Sequence, residues 1–174
     1  MTSTARVFLI LALAAAAGCA TTAPTVVPAV ADARSPARGI VTGGRLAPGD
    51  VDAVRAAGIR TVIDLTPDAE TPGFDEAAAV RGAGLAYANL PLSGPADLTR
   101  ANVLAFDALL RRAARPVLVH CASGNRVGAM AALRAAWIDG LGADEAIAVG
   151  RAWGLTGLEP AVRARLSTGG DGDG

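Results

Sequence analysis

Residues 116–120, PVLVH, form the run that most restricts how this chain can fold. Val117, Leu118 and Val119 are consecutive, apolar and mostly β-branched, which fits a short strand buried on both faces and not an amphipathic helix. Strands without a polar face belong in parallel sheets covered on both sides by helices. The rest of the sequence supplies such neighbours. GIVTGGRL (39–46), IRTVIDL (59–65) and LAYANLPL (85–92) read as further strands. PGDVDAVRAAG (48–58), FDEAAAVRGAG (74–84) and DLTRANVLAFDALLRRAA (97–114) read as the helices between them. Pro48 near a helix start and Gly58 at its end follow the usual asymmetry of helix termini. After PVLVH, the stretches RVGAMAALRAAWIDG, ADEAIAVGRAWG and LEPAVRARL give three more helices.

This alternation predicts a single α/β domain over residues 38–166, with a mostly parallel central sheet of about four strands flanked by helices. Ligands of such sheets bind beyond the carboxyl ends of the strands. The functional residues are therefore expected just after His120.

The flanks have a different character. Residues 1–18 carry one charge, Arg6, then an apolar run from Val7 to Ala17, and read as a signal peptide. The small-residue run ending in Gly18-Cys19 resembles the lipobox of bacterial lipoproteins, which implies lipidation at Cys19. Acyl chains contribute about 0.8 kcal/mol per buried CH₂, enough together for a stable anchor. The expected location is the cell envelope, on the periplasmic side and at the outer membrane. A soluble periplasmic protein cut near Ala20 is the alternative. Residues 19–37, rich in Ala, Pro and Thr, read as a disordered tether, and 167–174 as a disordered tail.

Sixteen basic residues balance sixteen acidic ones, so no field favours nucleic acid as a partner. Only six residues are aromatic, which leaves the core to Ala, Val, Leu and Ile. No cofactor is expected. One histidine and one remaining thiol do not make a zinc site, so no metal is expected either. The domain is expected to be a monomer. With Cys19 lipidated, Cys121 has no intramolecular disulfide partner. A lone thiol in an oxidising compartment is either buried and inert or kept for chemistry.

The segment after PVLVH favours chemistry. Cys121 leaves the strand as the chain turns into a helix beginning near Arg126, so the amides of Ala122, Ser123, Gly124 and Asn125 can converge on one point. The positive end of a helix favours a thiolate and an oxyanion alike. Gly124 permits the left-handed turn, and Arg126 offers a planar fork of donors for two oxygen atoms. Ser123 and Asn125 can bond nearby loop groups and hold the ring open. His120 is expected to orient the loop through backbone hydrogen bonds. Taken singly, each residue also has a plain structural role.

The stretch VHCASGNRVG resembles the HC-x-x-G-x-x-R loop of the tyrosine and dual-specificity phosphatase superfamily. From about residue 39 to 166 the chain is similar to a bacterial group that includes the phosphatase-like domain of beta-lactamase-hydrolase-like proteins. The resemblance implies Cys121 as nucleophile, Arg126 as phosphate-binding residue, and a phosphorylated small molecule or protein as substrate. One departure stands out. Phosphatase loops usually place five residues between Cys and Arg, and this chain places four, with Val127 one position on. A loop of that size is seen in rhodanese-like sulfurtransferases, where the cysteine carries a persulfide. Two alternatives therefore accompany the phosphatase reading: sulfur transfer, and a non-catalytic module that binds an anion or partner at the envelope.

Phosphatases of this kind use a separate Asp to protonate the leaving group. Asp97 follows a strand that ends on the expected side of the sheet, and N-capping the next helix is its other reading. Asp64, Asp68 and Glu70 are second candidates.

Overall fold

The computed structural model describes residues 30–169. The expected signal peptide, Cys19 and the last five residues lie outside them. Five strands form one sheet: β1 (Arg34–Ala37), β2 (Ile40–Gly43), β3 (Thr61–Asp64), β4 (Ala86–Asn89) and β5 (Val117–His120). Their order is β1-β2-β5-β3-β4, which puts β5 in the middle. It pairs in parallel with β2 on one side and β3 on the other, Val119 lying opposite Thr42 and Ile63. Only β1 runs antiparallel, at one edge.

That edge strand corrects two expectations. The sheet has five strands, and residues 34–37 of the expected tether are one of them. Val30, also assigned to the tether, is 2% exposed and belongs to the core. RSPA lacks apolar alternation because an edge strand in water needs none, and Pro36 is tolerated only at such a position. Gly39, at φ 71°, makes the short turn from β1 into β2.

Alternation along β5 divides the core in two. Val117 and Val119 face α3 (Arg100–Arg112), α4 (Asn125–Trp137), α5 (Ala143–Trp153) and α6 (Glu159–Ser167), packing with Phe106, Met130, Leu133, Ile147 and Val162. Leu118 faces α1 (Val51–Ala56) and α2 (Glu76–Gly82), packing with Val51, Val54, Val62 and Val80. The six α-helices among the described residues fall on sequence stretches read as helical. Trp153 packs edge-on to Phe106, with ring centroids 6.5 Å apart. Among the described residues no helix is long and apolar enough to cross a membrane.

Small residues bring α4 and α5 together behind the sheet. A Cβ on Gly128 would overlap the Leu155 amide nitrogen and fall 2.6 Å from the Gly150 carbonyl oxygen. A Cβ on Gly150 would fall 2.8 Å from the Ala132 Cβ. These contacts are with backbone atoms or with the Cβ of an alanine, so they cannot yield by rotating a side chain. Gly128→Ala is expected to destabilise the domain by about 1–3 kcal/mol, the range for overpacked cores. Thermal denaturation should show a Tm lower by roughly 2–12 °C for a chain of this size.

Candidate active site

Cys121 sits one residue beyond β5, at the C-terminal edge of the sheet, and is fully buried. Its amide donates to the Gly43 carbonyl at 3.4 Å. The Arg45 amide donates to the Ala122 carbonyl at 3.3 Å, and Ser123 bridges to Gly44. The start of the loop is thus fastened to the segment that leaves β2. Gly124, at φ 79°, then turns the chain into α4, as its position predicted. A Cβ there would lie 3.6 Å from the Gly43 carbonyl oxygen.

The amides of Ala122, Ser123, Asn125 and Arg126 meet no protein acceptor among the described residues. They are the loop's available donors, at the positive end of a helix of 13 residues. The side chain of Asn125 is engaged elsewhere. Its Oδ1 accepts from the amides of Thr156 (2.9 Å) and Leu158 (3.2 Å), tying the loop to the α5–α6 connection.

Arg126 is the best-anchored side chain of the site. Nη1 donates to Glu70 Oε1 at 2.7 Å and to the Leu92 carbonyl, and Nη2 donates to Glu70 Oε2 at 2.8 Å. Three of the five guanidinium N–H groups are fixed in this way. The remaining two, on Nε and Nη2, form the side-on edge of the fork and have no oxygen acceptor among the described residues. Arg126 is held above its ordinary range first by the hydrogen bond to Glu70, against the cost of burial, with the charge and hydrogen bond of Cys121 adding to it. Arg126 and Cys121 are thus close enough to interact, both at the start of α4.

Glu70 is itself braced. Arg45 donates from Nη1 to the Glu70 carbonyl at 2.7 Å and lies 3.5 Å from its carboxylate through Nη2. A cavity of about 410 Å³ opens beside this pair, lined by Arg45, Leu46, Pro48 and Phe74 among others.

The other expected residues have different partners. The ring of His120 makes no backbone hydrogen bond; its Nε2 lies 2.7 Å from Glu76 Oε1, on the α2 side of the sheet. Asp97 does not cap α3, because Thr99 does so by accepting from the Asn102 amide. The Asp97 carboxylate instead accepts from the amides of Ser93 and Gly94 and closes its own loop. Asp64 accepts from the Thr66 amide, the Tyr87 hydroxyl and Asn89. Burial, then the charge and hydrogen bond of Asp64, push the Tyr87 phenol far above its usual range. Asp68 lines a separate cavity with Asp64 and Glu76. The sequence named Glu70 only as a possible acid; its role as the fork partner of Arg126 depends on two loops meeting and leaves no local signal.

Residues 32–138 match the family described as "Beta-lactamase hydrolase-like protein, phosphatase-like domain". The chain belongs to that family. A beta-lactamase hydrolase-like protein of Xylella fastidiosa is 43% identical over 103 residues, 56% of this chain and 23% of that protein. The Agrobacterium fabrum protein of the same name is 36% identical over 81 residues, 44% of this chain and 19% of its own. The phosphatase-like domain thus spans less than a quarter of the curated relatives it matches. Among solved structures, a Neisseria meningitidis protein provisionally named a phosphatase superposes with a TM-score of 0.64 at 26% identity, covering 76% of this chain and 94% of that one. Tk-PTP superposes at 0.59 with 20% identity, over 81% and 97% of the two chains. The fold is that of the cysteine phosphatases, and the chain carries the phosphatase-like domain of its family.

The fork carries a pH dependence. The Arg126 hydrogen bond holds the Glu70 carboxyl below its usual value of 4.5 against the opposing cost of burial, with the charges of Arg126 and Arg45 adding to the lowering. A carboxyl lowered on folding adds stability above its unfolded value and loses it as pH falls through the folded one. Stability should therefore drop below pH 4.5 as Glu70 takes up a proton. In Glu70→Gln that component of the acid limb should disappear from Tm measured against pH.

Proposed function

We propose that the domain hydrolyses phosphate esters through Cys121. The observation carrying this reading is that Glu70 holds one end of the Arg126 fork and leaves its Nε–Nη2 edge without an oxygen partner beside the buried Cys121. In the first step the Cys121 thiolate attacks phosphorus, an S–P bond forms and the ester P–O bond breaks. Two equatorial oxygens lie on Arg126 Nε and Nη2, and the loop amides take the developing charge. The leaving oxygen acquires a proton. In the second step water attacks the phosphocysteine, releasing inorganic phosphate and restoring the thiol.

Protonation of the leaving group falls to Asp97 once the loop at 93–97 opens, since in the closed loop its carboxylate is held by Ser93 and Gly94. Aryl esters, whose leaving groups need little protonation, should be the better substrates. TpbA of Pseudomonas aeruginosa, a neighbour at TM-score 0.52 and 20% identity, was solved in complex with pTyr. An aryl phosphate such as phosphotyrosine is accordingly the first substrate to try.

A second reading rests on the four-residue spacing between Cys121 and Arg126. The tighter ring and the complete burial of Cys121 suit a single transferred sulfur atom. In that reaction thiosulfate passes its outer sulfur to Cys121, sulfite leaves, and cyanide removes the sulfur as thiocyanate. A lipid anchor at Cys19 would hold either activity at the envelope. Membrane fractionation of Cys19→Ala tests the anchor, and an unchanged membrane-bound fraction would rule it out.

The chemistry is tested on p-nitrophenyl phosphate and on thiosulfate with cyanide. Cys121→Ser should lower phosphatase kcat by at least about 10⁴-fold. Arg126→Lys, which keeps the charge and removes the side-on fork, should lower kcat/KM by roughly 10²–10³-fold. Asp97→Asn should lower the rate on alkyl phosphates more than on p-nitrophenyl phosphate. Thiocyanate without phosphate would overturn the phosphatase reading. If neither product forms while phosphate raises Tm, the domain is an anion-binding module.

A further inference from the structure

On the face of the sheet away from the helix α4, three titratable side chains converge that the proposed reaction does not use. Asp64 ends β3 and His120 ends β5, and the two residues are paired across the parallel ladder. Their side chains leave on the same face, where the first turn of α2 lays Glu76 against them. His120 Nε2 lies 2.7 Å from Glu76 Oε1 and 3.7 Å from Asp64 Oδ1. One ligand atom from each residue falls within 4.8 Å of the other two. We propose that this triad binds a single divalent transition-metal ion of the zinc class, through His120 Nε2 and one carboxylate oxygen each from Asp64 and Glu76.

The charge of the cluster points that way. Asp64, Glu76 and His120 are 4%, 6% and 1% exposed, so two carboxylates share one imidazole out of contact with bulk water. No arginine among the described ion pairs reaches either carboxylate. Buried charges are paired or hold metal ions, because desolvating them otherwise costs several kcal/mol.

A second, independent observation concerns hydrogen bonding. Three buried side-chain polar atoms have no partner among the described residues: Thr42 Oγ1, Thr66 Oγ1 and His120 Nδ1. Thr66 adjoins this cluster, its amide holding Asp64 Oδ1 at 2.7 Å, whereas His120 Nδ1 is the ring nitrogen turned away from Glu76 and would carry the proton when Nε2 binds an ion. Unsatisfied buried groups concentrated at one polar spot mark a place for water or an ion.

The surroundings have the remaining parts of a metal site. Tyr87 Oη and Asn89 Nδ2 hold Asp64 Oδ2 at 3.0 and 3.3 Å, the kind of outer hydrogen bond that orients ligating carboxylates. A cavity of about 620 Å³, lined by Asp64, Asp68, Asp75 and Glu76 and by no arginine, reaches two of the three proposed ligands, with His120 behind them. A mixed imidazole and carboxylate set favours zinc over magnesium, which demands more oxygen ligands. Three protein ligands leave a fourth position for solvent from the cavity. The sequence hid this set because its members lie at 64, 76 and 120, on three separate elements.

The test is calorimetric titration of zinc chloride into the metal-stripped full chain, with Tm read in parallel. One ion per chain and a higher Tm at saturation are expected. Glu76→Gln and Asp64→Asn should weaken binding by at least about 100-fold, and Tyr87→Phe by roughly 10-fold through loss of the outer hydrogen bond. A Cys19→Ala, Cys121→Ser variant should bind as the parent does. The proposal is overturned if the parent takes up no stoichiometric zinc, if Glu76→Gln binds unchanged, or if the cysteine variant loses the ion. Circular dichroism checks that each variant folds, and Tyr87→Phe decides the matter should the carboxylate variants fail to fold.

Discussion

The bidentate pair of Arg126 and Glu70 is the contact on which the arrangement of the site depends. It joins the loop after β5 to the loop after β3, and Arg45 extends it to the loop after β2. Three neighbouring strands thereby have their C-terminal ends fastened together above the sheet. The pair is partly shielded, Arg126 more than Glu70, so its benefit is greater in position than in net stability. A guanidinium gripped at one end presents its other edge in one orientation. That directed edge is what an arginine needs to recognise two oxygens of one anion.

Much of the fold could be read from periodicity. The helices and strands β2 to β5 match short apolar runs and helical spacings closed by glycine. The edge strand β1 could not, because RSPA has no buried face to leave a pattern. The position of β5 between β2 and β3 is also absent from any local signal; it follows from crossovers that skip a strand and return.

The site was legible in part for a similar reason. Cys121, Gly124 and Arg126 lie within one loop, so their spacing states their relation. Glu70, Leu92 and Arg45 reach Arg126 across separations that only the folded chain closes. His120 shows the limit most plainly. Its sequence position pointed toward the cysteine loop, yet strand alternation turns its ring to the opposite face, toward Glu76. Asp97 illustrates a different limit: a carboxylate three or four residues from free amides bonds them in preference to a distant partner.

The link made by Asn125 bears on what counts as one domain. The match to the family described above ends at residue 138, before α5 and α6 begin. Yet Asn125 grips the amides of residues 156 and 158, and Gly124 lies against Gly154 so tightly that a Cβ on the latter would fall 2.9 Å from the Gly124 carbonyl oxygen. The connection between the last two helices therefore acts as a buttress to the cysteine loop, although it lies beyond the matched family region.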